Sequence, residues 1–183
     1  SWDEFSKKMQ EFGYESLAID LRGHGESEGG PDGYQKFSDE EHQNGIHDLE
    51  AAWEFLKSAG AKPEKTALIG ASIGANFVLE FITKNPDFKK AVFLSPGFDY
   101  RGIKTEPLVL KFKKDQSAVF ATSKDDGNNA AEVLRLYEKS PKAMNKHIII
   151  YDNGGHGTAM LKAKDELDLT EAIKKFLTNG TIN

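Results

Sequence analysis

Five short apolar runs, separated by segments with helical periodicity, limit what this 183-residue chain can fold into. The runs cover residues 16–19, 66–69, 91–94, 118–121 and 147–151. They are rich in Val, Ile, Leu, Phe and Ala and lack the polar alternation of a strand with one wet face. Strands covered on both faces read this way, so the runs predict a mainly parallel sheet under helices. Between them, Trp2, Phe5, Met9 and Phe12 lie at i, i+3, i+7 and i+10, and Gly13 stops that helix. Ile46, Leu49, Trp53 and Leu56 repeat the stripe up to Gly60, with Ser38 and Glu41 at capping-box spacing ahead of it. Residues 75–82 are apolar nearly all round and predict a buried helix that ends before Pro86. Residues 130–137 predict a shorter helix, and Leu169, Ile173, Phe176 and Leu177 a final amphipathic one. The expected fold is α/β, a three-layer sandwich with a mainly parallel sheet and right-handed crossovers, in a single domain of residues 1–183.

Composition narrows the function classes. Lys plus Arg is 24 against 29 for Asp plus Glu, a net charge of -5. That lacks the electrostatic footprint of a nucleic-acid binder. No apolar stretch approaches the length of a membrane-spanning helix, so no membrane partner is expected. The absence of cysteine excludes disulfides, Cys-ligated zinc and thiol nucleophiles. His42 and His47 are spaced wrongly for one helical face, and there is no H-E-x-x-H, so no metal and no cofactor are expected. The first ten residues carry charge from the third onward and contain no signal-peptide core. A cytoplasmic location is expected, with the true N-terminus left open.

One motif offers chemistry. Gly70-Ala71-Ser72-Ile73-Gly74 fits G-x-S-x-G, starts where the run 66–69 ends, and leads directly into the buried helix. A strand–turn–helix of this kind lifts a serine hydroxyl above the sheet at a helix N-terminus. The turn is sharp, which explains the small residues Gly70, Ala71, Gly74 and Ala75 around it. The backbone N–H of Ile73 can then point at a developing oxyanion. A nucleophilic serine needs a base, and the base an orienting carboxylate. His156, between Gly155 and Gly157, follows the run 147–151. Asp126, in Thr122-Ser123-Lys124-Asp125-Asp126-Gly127, follows the run 118–121. Asp125 is the main rival for the acid, and Asp99, soon after the run 91–94, is an outside candidate.

Taken together these segments resemble the α/β-hydrolase superfamily. Asp20-Leu21-Arg22-Gly23-His24-Gly25-Glu26-Ser27 is similar to the superfamily's D-x-R-G-x-G-x-S segment. Residues 70–74 resemble its nucleophile elbow, 123–126 its acid loop and 155–157 its histidine loop. The resemblance is nearest to capless esterases and to hydrolases of the dienelactone-hydrolase and serine-peptidase type. It implies a triad of Ser72, Asp126 and His156, with Ile73 in the oxyanion hole. It also implies about three strands before the helix at Trp2. The third of them would lie between the strand at Ser16 and the strand at Thr66, and its turn would supply a second oxyanion donor. The chain is therefore expected to be the C-terminal portion of a longer, N-terminally truncated hydrolase domain.

The implied reaction is acyl transfer to water from a small-molecule or polymer-borne ester, with thioester or amide as variants and carboxylesterase ahead of peptidase. Residues 97–117 are too few for a cap and are expected to hold one crossover helix, with Lys111–Lys114 as its solvated face. Phe98, Tyr100 and Arg101 are candidates to line the substrate pocket. His24 is expected as a turn and packing residue, and Asp20 and Arg22 as loop anchors. The competing readings are a catalytically silent binding module of the same fold and a nicotinamide oxidoreductase. The latter would use Gly70–Ala75 as a dinucleotide turn and Tyr100 with Lys104 as a Y-x-x-x-K pair. Asn76 stands where the fingerprint needs glycine, and Gly102 interrupts the helix that should carry the pair. Oligomeric state is not readable.

Overall fold

The computed structural model describes residues 2–163 and 167–182. Each apolar run that finds a neighbour becomes a strand. In chain order the elements are α1 (Asp3–Glu11), α2 (Asp39–Gln43), α3 (Ile46–Ser58), β1 (Ala67–Ala71), α4 (Ile73–Lys84), β2 (Lys90–Leu94), a hairpin of β3 (Asp99–Tyr100) and β4 (Ile103–Lys104), α5 (Glu106–Val109), β5 (Ser117–Ser123), α6 (Asn129–Lys139), β6 (Asn145–Tyr151) and α7 (Leu169–Asn179). The main sheet is parallel with order β1-β2-β5-β6.

In-register partners share a face because side chains alternate along a strand. Gly70, Phe93, Phe120 and Ile148 stand in one row. From that face, Phe93, Phe120 and Ile148 meet Val78, Leu79 and Ile82 of α4, Val109 of α5 and Val133 and Leu136 of α6. Ala71, Leu94, Ala121 and Ile149 form the next row and pack against Phe5 and Met9 of α1 and Ile173 and Phe176 of α7. The result is three layers, as the runs predict. Phe93 and Phe120 are fully buried, and each contributes about 1.5–3 kcal/mol through removal from water.

Four expectations are corrected. Residues 16–19 form no strand. Among the described residues β1 pairs with β2 alone, and its other edge has no partner in the sheet. The segment that would have been a strand therefore has no ladder to join, and apolar composition alone does not make one. Two cavities flank it instead. One, of about 810 Å³, reaches Ala51, Ala52 and Phe55 of α3; the other, of about 710 Å³, reaches Phe5 and Met9 of α1 and Ile69 of β1. Leu17 and Ile19 line both, so the gap opens on both faces of the sheet.

Second, the capping box of Ser38 and Glu41 opens the short α2 rather than the long helix, which begins afresh at Ile46. The break sits at Gly45, where a Cβ would stand 2.7 Å from the Phe77 ring. Third, residues 97–117 hold the β3–β4 hairpin and the four-residue α5 rather than one crossover helix. Fourth, the basic residues 111–114 follow α5 in turns, with Phe112 buried among them. Among the described residues no helix is long and apolar enough to cross a membrane.

Candidate active site

The elbow forms where β1 runs into α4. Ser72 has φ 55° and ψ -128°, a left-sided conformation that costs a non-glycine residue on the order of 1–3 kcal/mol and persists where its surroundings enforce it. They do so here. The Ser72 N–H donates to the Leu94 carbonyl at 2.8 Å, continuing the β1–β2 ladder through the turn. The Ser72 carbonyl accepts from the N–H groups of Ala75 at 2.9 Å and Asn76 at 3.3 Å, which starts α4 at once. A Cβ on Gly70 would stand 2.3 Å from the Gly74 carbonyl oxygen, so the helix can turn this tightly only over a glycine. Gly74 itself has open space where a Cβ would go, so the expected crowding holds on one side of the serine and not the other. Ile73 is the first residue of α4, and its N–H finds no acceptor among the described residues. A free N–H at a helix N-terminus attracts negative charge.

Residues after β5 and β6 approach the same end of the sheet. His156 Nδ1 lies 2.7 Å from Asp126 Oδ2. The Asp126 side chain is 15% exposed and His156 44%, so the pair opens to solvent on the imidazole side. The histidine loop rests on the elbow: a Cβ on Gly157 would meet the Ala71 Cβ at 3.4 Å and the Ser72 nitrogen at 3.9 Å. The Gly157 N–H donates to Ser95 Oγ at 2.9 Å. Ser72, Asp126 and His156 thus gather at the C-terminal ends of β1, β5 and β6.

The rival carboxylates are placed elsewhere. Asp125 accepts from the Ser123 hydroxyl and, at 3.0 Å, from the Gly155 N–H. The Ser123 O–H, then the Gly155 N–H, hold its carboxyl below the usual carboxylate range. Asp99 is exposed on β3 and accepts from the Gly102 N–H at 2.7 Å.

The three pocket candidates divide. The Tyr100 hydroxyl lies 3.3 Å from Asn129 Nδ2 and 3.4 Å from the Ser95 carbonyl. Burial first, then the negative charges of Asp126 and Glu132, push its phenol above the usual range. Phe98 packs on the core with the Arg135 guanidinium over its ring at 5.5 Å. Arg101 turns to α2, where it pairs with Asp39 at 3.7 Å. The structure therefore fixes Tyr100 against Asn129 and the Ser95 carbonyl and gives Phe98 and Arg101 other partners.

Several polar residues that the sequence reading passed over fix the surroundings. Asn76, fully buried in an apolar helix, donates to the Gly97 and Ile103 carbonyls and accepts from the Gly97 N–H, all within 3.1 Å. Asn129 donates to the Pro96 carbonyl at 3.0 Å, and the Thr105 hydroxyl to the Gly97 carbonyl at 2.6 Å. A polar side chain inside an all-apolar helix was the available signal for Asn76, since buried amides are rarely left unpartnered. In the loop after residue 19, Arg22 forms a forked pair with Asp48, and the Asp20 carboxylate accepts from the Glu26 N–H. The His24 ring stacks on Tyr34 at 4.3 Å between centroids. No group of three or more His, Cys, Asp or Glu suited to a metal occurs among the described residues.

No curated protein matches the sequence. Among solved structures, an esterase of Pyrococcus furiosus aligns over 100% of this chain and 77% of its own, with 21% identity and a TM-score of 0.73. A monoacylglycerol lipase of Paleococcus ferrophilus aligns over 98% and 89%, with 14% identity and a TM-score of 0.74. The esterase domain of a Rhodothermus marinus protein aligns over 62% of this chain and 59% of its own, with 18% identity and a TM-score of 0.53, so the chain spans less than two thirds of that relative. At these identities the likeness is one of fold. A family model described as serine aminopeptidase, S33, matches residues 1–133, a span that includes Ser72 and Asp126. With that match over more than half its length, and the α/β sandwich in place, the chain belongs to the S33 hydrolase family of the α/β-hydrolase superfamily.

Proposed function

We propose that the chain is a serine hydrolase that cleaves carboxylic esters through an acyl-enzyme on Ser72. The observation that carries this reading is the 2.7 Å contact of His156 Nδ1 with Asp126 Oδ2, in a loop resting on the strained Ser72 turn. His156 takes the proton from Ser72 Oγ as that oxygen attacks the ester carbonyl carbon. Asp126 accepts a hydrogen bond from Nδ1–H, which leaves Nε2 free as the base, and then stabilises the imidazolium. The Ile73 N–H receives the oxyanion. His156 next protonates the departing alkoxide, and later takes a proton from the water that releases the acid. Tyr100 borders the site from the pinned hairpin.

The second oxyanion donor would come from a turn following a strand seated between residues 16–19 and β1. Without it, a loss of about 100- to 1,000-fold in rate is expected. Thioester and amide substrates fit the same chemistry. The family's name points to peptides, while the likenesses to an esterase and a lipase favour esters. The open gap beside β1 favours one alternative, a binding protein with an unused triad.

Labelling with a fluorophosphonate, read by peptide mass spectrometry with Ser72→Ala as control, tests the proposal. The expected result is an adduct on Ser72 in the parent chain and none in the variant. Silence in the chain, and in a form extended by an N-terminal strand, would remove the hydrolase reading and leave the binding module.

A further inference from the structure

We propose that Asp125, acting through Ser123, is a positioning residue that fixes the histidine loop, while its neighbour Asp126 alone serves the imidazole. The inference rests on the acyl-transfer reading of the site. Two adjacent carboxylates differ in duty because the turn after β5 sends them to different partners.

The bonds form a closed set. The Gly154 N–H donates to Ser123 Oγ at 2.7 Å, the Ser123 hydroxyl donates to Asp125 Oδ1, and that same oxygen accepts from the Gly155 N–H at 3.0 Å. Two successive backbone N–H groups ahead of His156 therefore end on the acid loop. The Lys124 N–H also donates to the Tyr151 carbonyl at 2.9 Å, and Lys124 pairs with Asp152 at 2.6 Å. Beyond His156, the Gly157 N–H is held by Ser95 Oγ. The loop is thus anchored on both flanks of its histidine.

It needs the anchors. Gly155 and Gly157 have φ of 69° and 57°, and glycine segments lose more conformational freedom on ordering than any others. A Gly-Gly-His-Gly stretch has only one side chain, and that side chain is the one that must stay free to move protons. Its place is set by bonds to its backbone. Asp125 is exposed, so its removal leaves the core intact while loosening the loop. Catalysis is sensitive to such loosening, since a displacement near 1 Å can cost about 100-fold in rate.

The test uses the whole chain, with p-nitrophenyl acetate hydrolysis, fluorophosphonate labelling rate and hydrogen exchange read by NMR of labelled glycine amides. For Asp125→Ala we expect kcat and labelling rate to fall by about 10- to 100-fold with KM little changed. Hydrogen exchange at Gly154 and Gly155 should accelerate. Asp125→Asn should recover most of the rate, because its amide oxygen still accepts from Gly155. Asp126→Asn should instead cost on the order of 10,000-fold in rate while leaving exchange at Gly154 and Gly155 as in the parent. An unchanged rate in Asp125→Ala overturns the proposal. So does a rate loss as large as that of Asp126→Asn, which would make Asp125 the acid, and so does Asp125→Asn behaving like the alanine variant. If the parent chain neither labels nor hydrolyses ester, the acyl-transfer reading fails separately. Exchange at Gly154 and Gly155 then still decides, faster in Asp125→Ala supporting the anchor and equal rates removing it.

Discussion

The two halves of the sheet are built to different standards. β2 and β5 have a neighbour on each edge, and their residues are buried almost throughout. β1 has one neighbour, and only Gly70 along it is fully buried. Residues 16–19 are as apolar as several of the true strands, yet they stay irregular beside two cavities. The difference teaches where the chemistry is self-sufficient. Asp126 follows β5 and His156 follows β6, the sheet's other edge strand, which pairs with β5 along its whole length, so the proposed acid–base pair stands on the half away from the gap, the finished one. Ser72 stands on β1, where the halves meet. The gap lies on the side from which a second oxyanion donor would come.

Core truncation should separate the halves most. Phe93→Ala, in the finished half, should cost about 3–5 kcal/mol in urea unfolding. Phe55→Ala, on a side chain 61% exposed beside the gap, should stay within about 0.5 kcal/mol. Equal losses would break the comparison. The next effect is catalytic. Seating an apolar strand beside β1, as a fusion ahead of Trp2, should raise ester hydrolysis by about 100- to 1,000-fold if its following turn brings an N–H to the oxyanion. An unchanged rate would mean that the gap does not limit the chemistry.

The two elbow glycines sharpen the contrast further. Gly70→Ala forces a Cβ into backbone and should cost about 1–3 kcal/mol along with fluorophosphonate labelling. Gly74→Ala meets open space in this chain, and labelling should survive. The smallest effect concerns pH. His42 is buried beside Phe37, and its Nε2 has no partner among the described residues. Burial first, then the charge of Arg101, lowers its pKa, with Asp39 and Glu41 opposing and His24 adding to the fall. A histidine lowered in the folded state contributes its full share above its ordinary value near 6.5. That share is lost as acid protonates the unfolded chain first. His42→Phe should therefore lose less stability than the parent between pH 7.5 and 5.5, measured by denaturant titration at both.

The sequence was readable wherever a local pattern and its tertiary context agreed. Residues 91–94 and 118–121 are apolar and do lie mid-sheet. The small residues around Ser72 predict a sharp turn, and the φ of 55° is its physical form. Legibility failed where the answer depended on absent or distant neighbours. Nothing within residues 16–19 reveals that no strand will pair with them. The split of α2 from α3 depends on the Phe77 ring, 32 positions beyond Gly45. The roles of Asp125 and Asp126 depend on which way each side chain leaves one turn, and composition is silent on that. Phe98 and Arg101 lie beside Tyr100 in sequence, but the hairpin sends them to Arg135 and Asp39 instead.

The hairpin at residues 97–105 has one more consequence. Asn76, Thr105 and Asn129 fasten it to α4, to itself and to α6. A segment held in this way behaves as a wall and not as a door. Discrimination among substrates would then come from the fixed outline of its tip, and turnover would not wait on an opening motion. Measured rates should consequently be indifferent to solvent viscosity when the chemical step is slow. Exchange of Tyr100 would retune preference and at the same time release one of the wall's own fastenings, its hydroxyl contacts with Asn129 and the Ser95 carbonyl.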